Sequence, residues 1–326
     1  MKRKCIVFIT GIFLTVSGFC QHKQDVAKSI CDRTCLENFA KSYIDAVIAH
    51  DPTKTMLDKN IKYTENGQRL VPGDGIWNTA SGWGNYKLYI SDTEEGQVGF
   101  IGTIKESQLT SILALRLKIE KMKITEAEAF VARSDSEAVK LDKMFPPNQV
   151  FLESIPQDER LSRDSLKKVA NMYFTALERN DGKGIYPFTD NCNRLENGHF
   201  TTNNPKKDNR PFDVDAMGCK EQFETGFFCF VTRIRDRRFP VVDVERGLVF
   251  SFGFFDHAGN VPLIKLTNGM SFPAGVKQPF TWEIAELFKI EKGLLREIQA
   301  VYQEAPYGMG SGWSSWEQSI SSEPNY

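Results

Sequence analysis

The stretches "TENGQ" at residues 64–68 and "LENGH" at residues 195–199 share Glu-Asn-Gly, and reading outward from them decides the architecture. Upstream, "FAKSYIDAVIAHDP" at 39–52 resembles "VANMYFTALERNDG" at 169–182. Ala40, Tyr43, Ala46 and Asp51 match Ala170, Tyr173, Ala176 and Asp181 at a constant offset of 130. Glu65, Asn66 and Gly67 match Glu196, Asn197 and Gly198 at an offset of 131. Downstream, "DTEEG" at 92–96 matches "DVERG" at 243–247 at 151, and "KIEK" at 118–121 matches "KIEK" at 289–292 at 171. The order is kept and the offset only grows. The chain therefore carries a tandem duplication whose second copy gained two loop insertions.

Each copy reads in the same way. Tyr43, Ala46 and Val47 fall at i, i+3 and i+4, the spacing of an amphipathic helix that ends near "HDP". A short strand follows and stops at Asn-Gly, a dipeptide that readily takes positive φ in a turn. "YKLYISDTEEGQVGFIGTIKE" and "ILALRLKIEKMKITEAEAFVA" alternate on both sides of their turns, a hairpin signature. "RGLVFSFGFF" and "AELFKIEKGLLREIQAVYQ" repeat this in the second copy. One helix followed by a curled antiparallel sheet is an α+β unit whose helix must cover the concave face. The expected layout is a first cone-shaped domain over 31–133, a linker over 134–162 and a second cone over 163–313. A tail over 314–326 ends the chain. The linker is polar and carries Pro146, Pro147 and Pro156.

Composition narrows the class. Hydrophobic residues make up 41% of the 326 and charged residues 25%, so disorder, collagen and coiled coil fit poorly. A formal net charge of −1 gives no field to steer nucleic acid or an anionic membrane. "MKRK", an apolar "CIVFITGIFLTV" and "SGFC" follow the order of a secretory signal peptide over residues 1–20, with cleavage expected after Cys20. The apolar run is too short to span a bilayer. A lipid anchor on Cys20 is the rival reading, and bulky Phe19 argues against it. The chain is thus expected to be secreted or periplasmic, where disulfides are permitted. Five cysteines remain in the mature chain: Cys31–Cys35 and Cys192–Cys219 are the expected pairs, with Cys229 in "GFFCFV" a buried thiol. No CxxC pair or Cys/His cluster suggests zinc.

A helix-first unit whose later strands form a long curled sheet resembles the nuclear transport factor 2-like, or SnoaL-like, cone, a cystatin-like layout. "TENG" with "RLKIE" and "ITEAEA", and "RLENG" with "RIRDRRFPVVD" and "PYGMGSGW", look similar to secreted tandem proteins of that superfamily. Two such units cover the whole mature chain. The resemblance implies a fold that hosts isomerases, dehydratases, lyases, cyclases and non-catalytic binders, so it specifies architecture more closely than reaction.

Several side chains are candidates for chemistry. Glu65 and Glu196 either serve the turn that both copies need or sit at a strand end facing the cone interior. There a half-buried carboxylate acts as a general base. Arg233 and Arg235 share one strand face, and either pair with Asp243 and Glu245 or clamp a ligand's negative charge. Arg116 interrupts the apolar "LALRLKI" and requires a partner such as Glu65 or Glu128. His199 follows the second Glu-Asn-Gly and His257 sits in "FFDHAGN", both in the copy that diverged. His22 lies in the mature N-terminal tail and His50 at a helix end, where a cation is favoured. Trp77, Tyr307 and Trp313 lie in glycine-rich segments that either stack on a ligand ring or pack across the two domains. No phosphate-binding glycine loop, dinucleotide fingerprint or GxSxG occurs, and nothing requires a metal, nucleotide or other cofactor.

The expected activity is cofactor-independent lyase or isomerase chemistry on a small hydroxylated or aromatic molecule in the second cone. Glu196 with His199 or His257 would move the proton, and Arg233 or Arg235 would stabilise developing negative charge. Two rivals stand beside it. One is a binder of glycans or phenolic ligands, and the other an assembly module whose sheets pair with each other, as a homodimer for example, or with another protein.

Overall fold

Asn66 and Gly67 adopt φ of 51° and 68°, and Asn197 and Gly198 adopt 45° and 81°, the left-handed turn for which this dipeptide is suited. In each half the asparagine does more than turn the chain. The Asn66 backbone N–H donates to Ala129 O, and its side-chain amide exchanges two bonds with Val131. Asn197 does the same with Ala300 and Tyr302. Glu-Asn-Gly therefore splices the second-half and first-half turns onto the edge of equivalent late strands.

The computed structural model describes residues 31–134, 136–144, 146–205 and 212–326. The leader expected over residues 1–20, its cleavage point, and His22 lie outside the described residues. In chain order the first half holds α1 (Arg33–Ile48), β1 (Leu57–Glu65), β2 (Gln68–Leu70), α2 (Ile76–Thr79), β3 (Ala80–Asp92), β4 (Gln97–Glu106), β5 (Leu109–Glu120) and β6 (Lys123–Ala132). A short helix α3 (Ala138–Asp142) lies between the halves. The second half holds α4 (Arg163–Leu177), β7 (Phe188–Glu196), β8 (His199–Phe200), α5 (Cys219–Glu224), β9 (Arg233–Asp243) and β10 (Leu248–His257). A small hairpin, β11 (Leu263–Lys265) with β12 (Ser271–Pro273), then leads to β13 (Phe280–Glu291), β14 (Leu294–Ala305) and a last turn of helix, α6 (Trp316–Ser319).

The two sheets have the same order, β2-β1-β6-β5-β4-β3 and β8-β7-β14-β13-β10-β9. In each, the first long strand runs parallel to the last and all other pairs are antiparallel. The registers coincide: Glu65 and Leu115 both oppose Ala129, while Glu196 and Glu286 both oppose Ala300. A helix-first unit with a six-stranded, mostly antiparallel sheet thus appears twice, the tandem α+β layout expected from the sequence.

Local chemistry explains the elements. The Asp32 side chain caps α1 by accepting from Cys35 N, and Ser162 caps α4 by accepting from Ser165 N. Leu36, Ala40, Tyr43, Ile44 and Val47 form the buried stripe of α1, and Leu166, Ala170, Tyr173, Phe174 and Leu177 that of α4. Each stripe covers the inner face of its own sheet. A third apolar layer, including Leu88, Ile101 and Phe130 with Phe250, Phe252 and Leu287, joins the outer faces of the two sheets. The Phe130 and Phe252 rings meet edge-on at 5.3 Å. The order of layers is helix, sheet, sheet, helix. Residues 134–162 do more than run over the surface: Leu141, Met144 and Phe151 are buried in that third layer, because three apolar side chains are better removed from water than left on a polar segment. No helix among the described residues is long and apolar enough to cross a membrane.

Candidate active site in the second half

Strand alternation puts Arg194 and Glu196 of β7 on the face that α4 covers, and places Glu286 of β13 between Ile284 and Phe288 on the same face. Tyr173 of α4 points down among them. Arg194 is 3% exposed yet fully engaged: Nη2 donates to Gln222 Oε1 at 2.7 Å, Nε to Thr201 Oγ1 at 3.0 Å, and Glu196 Oε2 lies 3.3 Å from Nε. Burial opposes its charge, and Glu196, Tyr173 and their neighbours outweigh that and hold the guanidinium firmly protonated.

Glu286 is the opposite case. It is fully buried, and neither carboxyl oxygen has a hydrogen bond among the described residues. The Tyr173 hydroxyl faces it without reaching ordinary hydrogen-bond geometry. Burial, and then the negative charge of Glu196, push the Glu286 carboxyl well above the usual carboxylate range, against the pull of Arg194. Burial also raises Tyr173 well above an ordinary phenol. Burial thus favours the protonated form of both, in which each is a hydrogen-bond donor.

Tyr173, Arg194 and Glu196, with Trp282 and Tyr302, wall a cavity of about 160 Å³, and Glu286 is buried behind that wall. Burial lifts the Tyr302 hydroxyl to about 12. The lid is a 3₁₀ turn, Phe227–Phe230, that enters from Gly226. Gly226 has φ 73°, and a Cβ there would come within 3.1 Å of the Asp181 backbone, so only glycine fits. This lid belongs to the first of the two insertions detected in the sequence. The volume suits one aromatic ring: an apolar cavity of about 150 Å³ accepts benzene.

In the first half, Trp77 of α2 is 0% exposed and meets edge-on, at 5.2 Å, the ring of Tyr43, the counterpart of Tyr173. Position for position, Tyr63 stands for Arg194 and Leu115 for Glu286. Glu65 keeps its place but is saturated, accepting from the Tyr63 hydroxyl at 2.9 Å, Ile76 N at 2.6 Å and Arg133 Nη2 at 2.8 Å. Glu65 and Trp77, expected as ligand contacts, are structural here. The carboxylate anchors α2 and the indole plugs the cone.

Other expected site residues are elsewhere. Arg235 and Arg233 do share a face, but it is the face opposite Ile234 and the cavity, and both clamp the buried Asp256, through Nε contacts of 2.9 and 2.8 Å. The carboxylates first matched to them, Asp243 and Glu245, bind Arg33 instead. Arg116 is held between the two sheets by Glu128 at 3.0 Å, Glu126 at 2.7 Å and Gln97 at 2.8 Å; Glu128 also receives Arg238 of the other half. That is a buried ion network, at the floor of a separate cleft of about 400 Å³ that Arg116 and Trp313 line away from the second-half cavity. His199 faces the α3 segment, contacting Glu137 and Lys140 on the protein surface. His257 is fully buried, stacked on Phe280 at 4.3 Å and against Trp282 at 4.5 Å, and burial lowers its pKa to about 4. It is a neutral ring behind the cavity's aromatic wall and does not line the cavity. Tyr307 is exposed, and Trp313 docks on the first half through Nε1 to Thr64 Oγ1 at 2.9 Å.

Cys31 and Cys35 are disulfide-bonded. Cys192 and Cys219, expected as a second bond, are free thiols buried side by side, because β7 and α5 bring them into contact without closing the bond. Cys229 is half-buried rather than core. Among the described residues no cluster of three or more His, Cys, Asp or Glu side chains is grouped to hold a metal ion.

Of the cavity residues, only Glu196 was marked as a candidate from the sequence. Tyr173 shows in the sequence only as a repeat match, and Arg194 and Glu286 carry no local signal of their own. The signal for Glu286 is in the alignment of the two copies: an inward position that is Leu115 in one strand carries an acid in the other.

Comparison with known proteins adds little chemistry. Residues 159–302 match a family described as "Domain of unknown function (DUF8021)", which spans most of the second half. No curated protein matches. Two solved structures are similar over part of the chain. A protein from Sphaerobacter thermophilus is 14% identical, with a TM-score of 0.22, over 30% of this chain and 96% of that one. A "putative ketosteroid isomerase" from Kribbella flavida DSM 17836 is 11% identical, with a TM-score of 0.24, over 37% of this chain and 90% of that one. The fold assignment rests on the strand order and registers given above.

Proposed function

We propose that the second half is a cofactor-independent acid–base catalyst, of the isomerase or lyase class, acting on a compact molecule about the size of one ring. The observation that supports this is Glu196 beside Arg194 on the wall of an aromatic cavity, with the buried Glu286 carboxyl behind them. Two carboxyl groups in contrasting surroundings divide naturally into roles. Glu196, at the cavity wall, accepts a proton from an acidic carbon of the ligand. Tyr173, with neutral Glu286 behind it, donates hydrogen bonds toward the oxygen where negative charge develops. Arg194 supplies a fixed positive charge close to both, in a space that excludes water, where such preorganised interactions are strongest. The aromatic rings fix the ligand plane. A non-catalytic binder is the alternative favoured by one observation, the preponderance of aromatic wall.

Deuterium exchange separates the two without knowing the product. The purified protein is incubated in D₂O with small cyclic ketones and phenolic carbonyl compounds, and deuterium uptake at carbon is followed by mass spectrometry. Proton abstraction predicts exchange in the wild type that Glu196→Gln abolishes. Ligand binding without exchange at any carbon would leave a binder and sink the catalytic reading.

A further inference from the structure

Trp282 and Tyr302 do not only wall the cavity. Their rings meet at 4.8 Å, and the same two side chains border a second space of about 400 Å³, more than twice the volume of the first. This cleft lies where the halves meet: Arg133, Ser134 and Glu137 come from the end of β6 and the segment after it, and Gln303 and Glu304 from β14. The two spaces therefore share a wall of two rings, and one ligand can fill both only by passing the edge of that wall.

The chemistry of the cleft differs from that of the cavity. Arg133 is already committed to Glu65 at 2.8 Å and Glu106 at 2.9 Å, so it offers no free positive charge. Glu304 is exposed and has no hydrogen bond or ion pair among the described residues, and the Ser134 hydroxyl contacts only Ser136, at 3.0 Å. Glu137 is likewise paired with Lys140 and His199, so what remains is the Glu304 carboxylate and the Ser134 hydroxyl beside flat aromatic faces and the apolar Ile112, Val131 and Leu141. Such a surface repels anions and suits a neutral polyhydroxylated group, whose hydroxyls donate to carboxylates while its apolar face lies on the rings.

We infer that this cleft is a second subsite, and that the ligand class is a single aromatic ring carrying a sugar-like, hydroxylated substituent: the ring in the cavity, the substituent in the cleft. This rests on the cavity being the ligand site proposed above. It also gives the plugged first half a role, since that half supplies one wall of the subsite.

Binding is read by quenching of tryptophan fluorescence with phenol, phenyl β-glucoside and glucose as probes. The wild-type protein is expected to hold the glucoside about tenfold or more tightly than phenol, equivalent to ~1.4 kcal/mol. The double variant Glu304→Ala, Ser134→Ala, which leaves the cavity untouched, should lose that advantage while keeping its affinity for phenol. If phenol binds but the glucoside binds no better, the subsite is refuted and the cavity reading stands. An advantage that survives in the double variant refutes the cleft as its source. If phenol itself does not bind, the cavity reading fails and takes the subsite with it.

Discussion

Replacing Glu286 with leucine should make the protein more stable. The reasoning starts from the two orphaned oxygens of a fully buried carboxyl. A buried polar group without a partner costs ~1–3 kcal/mol, and leucine adds apolar burial in its place. The first half has already made this choice at Leu115, which is 1% exposed, so the backbone accommodates the side chain. The expected gain is ~1–3 kcal/mol, or roughly 2–4 °C in Tm for each kcal/mol in a domain of this size. The gain depends on pH in a definite direction. The folded pKa of Glu286 lies above its unfolded value, so its stability contribution is fully present below about pH 4.5 and is lost as pH rises through the folded pKa. The gap between variant and wild type should therefore widen from pH 5 to pH 7.5, by at most about 1.4 kcal/mol per pH unit. Glu286→Gln is the control, because an amide keeps an unpartnered polar group and should stabilise less. Thermal melts of the three proteins at the two pH values decide the matter. A leucine variant destabilised by more than about 1 kcal/mol, or a gap that does not change with pH, would refute the reasoning.

Other outcomes follow from the same geometry. Glu283 faces the other half, with a pKa that burial raises to about 7; stability should fall as pH climbs from about 4.5 through 7, and Glu283→Gln should flatten its share of that slope in melts between pH 5 and 8. Glu128→Ala leaves Arg116 and Arg238 buried without their shared carboxylate and should cost ~3–5 kcal/mol in guanidinium unfolding; a loss below ~1 kcal/mol would mean water replaces the carboxylate. Trp77→Ala should cost ~3–5 kcal/mol and open a space in the first half, so that indole or benzene raises the Tm of the variant by more than it raises that of the wild type, whose second-half cavity also takes a ring. In native thiol titration, half-buried Cys229 should react first, and Cys192 and Cys219 only on unfolding; equal rates for all three would contradict the packing of β7 against α5.

Much of the architecture was legible because its determinants are local and repeated. The Asn-Gly turns, the i, i+3, i+4 stripe around Tyr43 and the alternation of "YKLYISD" each act over a few residues, and their recurrence in register fixed two equivalent sheets. What was not legible depends on which way a charged side chain faces. "RIRDRRF" correctly placed Arg233 and Arg235 on one face, but nothing local says whether that face meets the helix or the second sheet, and Asp256, 21 residues from Arg235, is what claims both. His257 is hard to place for a related reason, since a strand end beside an insertion reads as loop while Phe280 and Trp282 of β13 and the distant Phe230 pack around the ring. Glu286 was hidden in "AELFKIEK", where one acid in an alternating strand ordinarily marks the solvent face. Only the sheet-on-sheet packing makes both faces of that strand interior.

The contrast between the halves bears most directly on function. After duplication, each cone inherited a tyrosine on its helix and a glutamate at the end of its first long strand. In the first half these became structure: Tyr43 packs on Trp77, and Glu65 is fully hydrogen-bonded. In the second half the corresponding Tyr173 and Glu196 border an enclosed space, and two polar residues, Arg194 and Glu286, stand where the first half has Tyr63 and Leu115. A fold-required feature should be satisfied in both copies. An unsatisfied buried acid, kept in one copy and replaced by leucine in the other, is the expected mark of a site in which stability has been given up for activity. The insertion that supplies the Phe227–Phe230 lid occurs in that same copy, so the added loop and Arg194 meet at one cavity, with Glu286 buried behind its wall.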